Sequence, residues 1–402
     1  MSLKLLNIKL FFCLLFSSYL SGQTFTVYNY FNSPLPDNRV NCVELDQEEN
    51  LWVGTQYGLV VYDGFVWTNL SDSVPSPVIK DISVNVNGDV WIATNSGFCK
   101  YDSVWSFFAP PQQALSEQIN CISFDGDGDP WFGTVNGLFS FKNGVFNLVL
   151  DTSSLENFIN VSSIVFKGDS VVVGTMNGGI GFIYNGACSW FNISPIGGII
   201  DNSFNDLLVD KYNNIWGCSP YGGLQVLFSD NNWFFINNIS SPGWQSNSIT
   251  SIDEDSTERK CLGTKGGGVV LFDFGTGVSN TTVIDSSNSD LPDDFILDVL
   301  FQNEILWVAT QFEGLVKVSS FLSSVFEKNK KENFFPSPFK SKINVCSDGP
   351  GTLFVYNIMG EKVFEGFVFG LKEIDLGFLS KGVYVFSIKT KNKKTSKKIY
   401  KL

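Results

Sequence analysis

Trp52-Val53-Gly54-Thr55, Trp91-Ile92-Ala93-Thr94 and Trp131-Phe132-Gly133-Thr134 are three copies of one phrase, and its recurrence decides the fold. Weaker copies stand at Val172-Val173-Gly174-Thr175, Trp216-Gly217-Cys218-Ser219 and Cys261-Leu262-Gly263-Thr264, and Trp307-Val308-Ala309-Thr310 ends the series. The anchors lie 39, 40, 41, 44, 45 and 46 residues apart, which is the spacing of propeller blades. An alternating strand precedes each phrase, as in Val40-Asn41-Cys42-Val43-Glu44-Leu45, and a polar turn such as 46–50 separates the two. A tight glycine turn leads on to a third strand, Gly58 to Tyr62 in the first unit. Across an Asp63-Gly64 hairpin comes a fourth strand that opens on an aromatic: Trp67, Trp105, Phe146, Trp190 or Trp233.

A four-stranded unit of this kind cannot bury both faces alone. Radial stacking buries them, with aromatics filling the wedges between neighbours. The expected fold class is therefore all-β: a seven-bladed β-propeller, followed by a small immunoglobulin-like β-sandwich. The seventh unit lacks a clear fourth strand, and the chain start supplies one. Phe25-Thr26-Val27-Tyr28 resembles Trp67-Thr68-Asn69-Leu70, and Asn32-Ser33-Pro34-Leu35-Pro36-Asp37 resembles Asn288-Ser289-Asp290-Leu291-Pro292-Asp293. Residues 24–31 are expected to close the ring. The rival is 321–326.

The expected domains are an export signal over 1–22, the propeller over 23–326, a charged linker over 327–332 and a C-terminal domain over 333–402. Lys4 and Lys9, the apolar run Leu10 to Phe16, and Ser17, Ser18, Ser21 and Gly22 form the signal pattern. That run is shorter than the ~20 residues a membrane-spanning helix needs, so no transmembrane segment is expected after cleavage. The formal charge is −13, but residues 330–402 carry 14 lysines against 6 acids. The propeller body is thus strongly acidic, which argues against nucleic-acid partners. There is no histidine, and no cysteine pair forms CxxC. After signal removal seven cysteines remain, read as free core thiols rather than redox or zinc ligands.

The phrase resembles the repeats of the two-component regulator propeller family over residues 24 to 326. Those repeats form extracellular sensors of hybrid histidine kinases, associated with recognition of polysaccharide breakdown products. The tail has Phe335-Pro336-Ser337-Pro338-Phe339, then Tyr356-Asn357-Ile358-Met359-Gly360-Glu361-Lys362-Val363. Leu379-Ser380-Lys381-Gly382-Val383-Tyr384 and a basic end follow. This order resembles the type A C-terminal sorting domain of the Bacteroidetes type IX secretion system. The resemblance implies the secretion machinery as a partner and a secreted or outer-membrane cell-surface location.

No Ser-His-Asp or Cys-His site and no histidine metal site can be built, so no catalytic residue is assigned. Asp125-Gly126-Asp127-Gly128-Asp129 alternates carboxylates as a Ca²⁺ loop does. The same place is a turn in every blade, where Asp and Gly are ordinary. Asp125, Asp127 and Asp129 are therefore weak metal candidates, and no cofactor is expected. The loops joining second and third strands converge on one end of the propeller and carry Tyr57, Asn95, Asn136, Asn177, Tyr221, Lys265 and Phe312. Amides and aromatics there suit a hydroxyl-rich ligand. Trp244, in the long loop 240–247, is expected to add a stacking platform. The leading expectation is a surface binding or interaction protein, with a glycan or surface macromolecule as partner. The alternatives are a carboxylate-dependent glycosidase or lyase and a structural or adhesive surface protein.

Overall fold

The computed structural model describes residues 23–108, 118–151, 160–193, 198–229, 231–241, 243–273, 281–319, 341–390 and 394–401. No α-helix occurs among them. Seven antiparallel four-stranded sheets precede one further sheet in the tail. The first blade is built from β2 (Val40–Leu45), β3 (Leu51–Thr55), β4 (Gly58–Tyr62) and β5 (Trp67–Asn69), paired in that order. The first strands of successive blades touch in sequence, and that of the seventh touches that of the first, so the ring is closed.

Closure comes from the chain start. β1 (Thr24–Tyr28) pairs antiparallel with Leu315–Ser319, in register from Thr24 opposite Ser319 to Tyr28 opposite Leu315. It is the outer strand of the seventh blade, as the sequence comparison of Phe25–Tyr28 with Trp67–Leu70 leads one to expect. The rival segment 321–326 lies outside the described residues.

Each letter of the repeated phrase has a mechanical task. The threonine hydroxyl donates to the carbonyl that ends the following turn: Thr55 to Gly58, Thr94 to Gly97 and Thr310 to Gly314, at 2.7 to 2.8 Å. The same oxygen accepts an amide hydrogen from inside that turn, at Tyr57, Ser96 and Glu313. The small residue before it makes room for the next blade. A Cβ on Gly54 would fall 2.5 Å from Ile79, one on Gly133 2.7 Å from Val161, and one on Gly263 3.0 Å from Ile296. Each of those three is the opening apolar residue of the neighbouring blade. The tryptophan donates its indole N–H to the aspartate that starts the preceding turn: Trp52 to Asp46, Trp131 to Asp125 and Trp216 to Asp210, at 2.9 to 3.1 Å.

A second system of contacts ties the inner strands together. A β-bulge opens the first strand of most blades, for example between Val40 and Cys42, and between Ile79 and Asp81. It frees side chains to reach across the blade junction. Asn41, Asn120 and Asn205 donate to the carbonyls of Ile79, Val161 and Ile249 at 2.6 to 2.9 Å, and the Ser162 hydroxyl donates to the Phe204 carbonyl. Asp81, Asp206, Asp253 and Asp298 accept from the amides of Ile122, Ile252, Phe301 and Val43 at 2.6 to 3.0 Å. All seven junctions are bridged in this way.

Five cysteines, Cys42, Cys99, Cys121, Cys218 and Cys261, are buried free thiols, but Cys188 is exposed on an outer strand. That corrects the uniform core reading: outer strands face solvent on one side, so a small apolar residue there is not enclosed.

The tail is one sheet in which Lys342–Tyr356 sits between Lys362–Asp375 and Gly382–Thr390, with Lys394–Lys401 at the edge. Its pairing slips between Ser347 and Gly351, where the long strands bend. Across that slip Ile343 and Val345 share one core with Leu353, Val355, Phe386 and Ile388.

Candidate functional site

The register places strand starts and ends so that second-to-third-strand loops and blade-joining segments share one face. In the first blade Val40 pairs with Thr55, and Thr55 with Gly58. At the described joints these loops are hydrogen-bonded to the joining segments. Gln56 and Lys265 donate backbone amides to Arg39 and Ser248 of the preceding joining segment, and Gly314 and Gly223 donate to Asn38 and Asn247 of the following one. Buried carboxylates stiffen these loops. Asp293 accepts from the amides of Phe295 and Phe312, both at 2.9 Å. Asp201 accepts from Ser203, Tyr221 and Gly222, and from the Ser219 hydroxyl.

The expected site residues separate into three groups. Tyr57, Tyr221 and Phe312 are well exposed on these loops, at 63%, 79% and 54%. The Lys265 side chain is exposed as well. Asn95 and Asn136 are half-buried, and Asn177 is tied to the segment that leads into the next blade: the Ser203 hydroxyl donates to its side-chain oxygen at 3.1 Å, and its backbone amide donates to that hydroxyl. Trp244 does not form a platform. It is buried among Trp216, Phe228 and Phe272, with its ring 6.2 Å from that of Phe272. The loop is long because it folds the indole into the wedge between the fifth and sixth blades.

Three aromatics not singled out from the sequence join the exposed set. Tyr30 and Phe31 are 51% and 79% exposed with ring centroids 3.8 Å apart. Phe295 meets Phe312 edge-on at 5.8 Å. Tyr30 and Phe31 occupy the tip of an Asx-capped turn that has counterparts at other described joints. Asn29 Oδ1 accepts from Phe31, Asn237 Oδ1 from Ile239, and Asp285 Oδ1 from Ser287. Of these three turns, that at 29–31 alone has two aromatic tip residues, a signal readable in the sequence once the turn is known. Phe295, Phe312, Tyr30, Phe31 and Tyr57 thus follow one another along this face over the seventh and first blades.

Of the acidic candidates, Asp125 closes the turn, and Asp127 and Asp129 face Lys142. Oxygens of Asp125, Asp127 and Asp129 lie within 4.8 Å of one another. Asp125 spends its oxygens on the amides of Asp127 and Asp129 and on the Trp131 indole. The Lys142 ammonium stands 3.0 Å from Asp127 and 2.6 Å from Asp129, so the positive charge between them is a side chain of the next hairpin.

The channel carries a second acidic set. Burial pushes Glu44 up to about 8, Asp81 to about 7, and Asp206 and Asp253 to about 6, and it raises Asp298 well above the usual carboxylate range. Mutual repulsion adds to this: Asp206 raises Asp81, Asp253 and Asp298. Four of the five hold a neighbouring blade's amide, as described above, which assigns them to blade coupling.

Residues 333–401 match the model of the secretion system C-terminal sorting domain, and residues 34–57 match the two component regulator propeller. No curated protein matches the chain. Among solved structures the chain is similar to PorZ of Porphyromonas gingivalis, described as an essential bacterial surface component of the type-IX secretion system. That match has 14% identity and a TM-score of 0.57, over 94% of this chain and 60% of that one. It is also similar to the extracellular domain of the hybrid two component system BT3049 from B. thetaiotaomicron, at 16% identity and a TM-score of 0.62, over 94% of this chain and 57% of that one. A third similar structure is virginiamycin B lyase from Staphylococcus aureus, at 14% identity and a TM-score of 0.57, over 74% of this chain and 99% of that one. At these identities the structural likeness establishes the propeller, while the sorting-domain match establishes a secreted or cell-surface location. No helix among the described residues is long and apolar enough to cross a membrane. The chain is a propeller protein in which residues 34–57 match the two component regulator propeller and residues 333–401 match the secretion system C-terminal sorting domain.

Proposed function

We propose that this is a surface-displayed binding protein that captures a hydroxyl-rich ligand, a glycan, on its loop face. The observation that carries the reading is the aromatic arc Phe295, Phe312, Tyr30, Phe31 and Tyr57, exposed on loops whose backbones are fixed by Asp293, Asn29 and Thr55. Sugar rings stack on such faces, and rigid mounting lowers the entropy lost on binding. Half-buried Asn95 and Asn136 and exposed Lys265 border the same face and supply hydrogen-bonding groups.

The enzymatic alternative is less well supported. Four of the five channel carboxylates, Asp81, Asp206, Asp253 and Asp298, are engaged with backbone amides across blade junctions, and Glu44 accepts from the Leu45 amide beside it. A glycan array probed with residues 23–402 tests the reading. Retention of at least one glycan class without turnover supports it. Retention of none favours the adhesive alternative with a protein partner, and hydrolysis or elimination of a bound glycan favours the enzyme.

A further inference from the structure

The end of the tail carries an arrangement that its export role does not by itself explain. Lys401 terminates the edge strand Lys394–Lys401 and pairs with Gly382. Its side chain is buried, at 8% exposure. The ammonium donates to three backbone carbonyls of a single turn: Leu376 at 2.7 Å, Gly377 at 2.8 Å and Leu379 at 2.5 Å. A lysine ammonium has three donor hydrogens, and the turn satisfies all three.

This turn joins Lys362–Asp375 to Gly382–Thr390. Leu376 and Leu379 bury their side chains in the tail core. The Leu376 amide donates to Ser341 at 2.7 Å, and the Tyr384 hydroxyl donates to the Ser380 carbonyl at 2.8 Å. The turn is therefore fixed from outside by its neighbours and from inside by a lysine 22 to 25 residues downstream. Removing that lysine leaves buried carbonyls without a charged donor.

The edge strand is laddered to Gly382–Thr390 from Gly382 opposite Lys401 to Lys389 opposite Lys394, and Ile399 enters the tail core; an edge strand, paired on one side only, gains from a fixed point at its end. Lys401, two residues on from Ile399, faces the same side of the sheet. The carbonyl cage supplies that point.

We propose that Lys401 is the register-setting latch of the sorting domain, so that only a chain complete to this residue presents the folded export signal. The proposal rests on the reading of the tail as an export signal. Lys401 acts here as a positioning residue, through the 376–379 turn.

The test uses the full chain in a cell with the sorting pathway, scoring export together with hydrogen exchange of the purified protein. Four chains are compared: wild type, Lys401→Met, Lys389→Met at an exposed lysine, and Ile388→Val, a mild core change. Wild type, Lys389→Met and Ile388→Val should be exported. Lys401→Met should be exported about tenfold less, the effect of losing roughly one strong hydrogen bond's worth of stability, and its 376–379 amides should exchange faster. Normal export of Lys401→Met overturns the latch. So does an equal loss of export in Ile388→Val at the same unfolding temperature, since general stability would then suffice. If wild type itself stays inside, the export reading fails, and the exchange data alone decide: unchanged protection of the turn in Lys401→Met overturns the latch.

Discussion

The ring of Tyr28 lies 5.2 Å from that of Trp67, centroid to centroid, although one belongs to the strand that closes the seventh blade and the other to the outer strand of the first. Tyr28 also approaches Tyr62 at 6.0 Å and Trp307 at 6.2 Å. It is the wedge at the one junction where the chain's two ends of the ring meet. Tyr28→Ala should remove about 2 kcal/mol of stability, a discount on a fully buried aromatic because Tyr28 is half-exposed. Deletion of 24–28 should remove more, by reopening the edge of Leu315–Ser319. Thermal unfolding measures both. Unchanged melting in the deletion would mean that another segment closes the blade.

The glycine of the repeated phrase predicts a coupling across a blade junction. Gly54→Val should be destabilising by about 1–3 kcal/mol through overpacking, because its Cβ meets Ile79 of the next blade at 2.5 Å. Ile79→Ala alone should also destabilise, by opening a cavity. Combined, the two should cost less than their sum, since the alanine removes the 2.5 Å contact, although Cys42 Sγ at 2.6 Å and the Cβ of residue 79 at 2.9 Å still crowd the site. Strict additivity in a double-mutant cycle of unfolding free energies would contradict this packing account.

The second blade departs from the turn pattern in an instructive way. Asn85 stands where the first, third and fifth blades have Asp46, Asp125 and Asp210, and it donates its amide to Asp89. The Trp91 indole N–H is left buried without an acceptor. Exchanging the pair, Asn85→Asp with Asp89→Asn, reproduces the Asp46–Asn50–Trp52 and Asp210–Asn214–Trp216 arrangements. The double variant should gain about 1 kcal/mol, the worth of one satisfied buried hydrogen bond. A lower melting temperature would show that the Lys100–Asp89 ion pair outweighs the indole bond.

The channel carboxylates fix a pH dependence with a definite sign. Their folded-state values lie above those of exposed carboxylates, so the folded chain binds more protons than the unfolded one between about pH 4 and pH 8. The stability they contribute is present at low pH and lost as pH rises through 6 to 8. Melting temperature should therefore be higher at pH 5 than at pH 8.5, and Asp298→Asn, which keeps an acceptor for the Val43 amide, should flatten the slope. A melting temperature that rises over this range would contradict the assignment.

Much of the ring was legible because the Trp–Gly–Thr phrase performs local tasks within its own blade and turn. The junction contacts were not. Asp81, Asp206 and Asp298 become partners of Ile122, Ile252 and Val43 only once neighbouring blades are stacked, and no spacing along the chain encodes that. Trp244 was misread because loop length and aromatic character suit exposure and burial alike. Tyr30 and Phe31 lie in a joining segment whose Asx turn has no fixed place in the repeated phrase, so nothing in the phrase points to them.

The most direct measurement is calorimetric titration of an array-identified glycan into the propeller, with and without Tyr30→Ala, Tyr57→Ala and Phe312→Ala combined. Three lost stacking contacts of ~1 kcal/mol each predict a loss of affinity of about a hundredfold, with melting nearly unchanged, since all three side chains are exposed. Undiminished affinity in the triple variant would place the ligand away from the loop face and contradict the account.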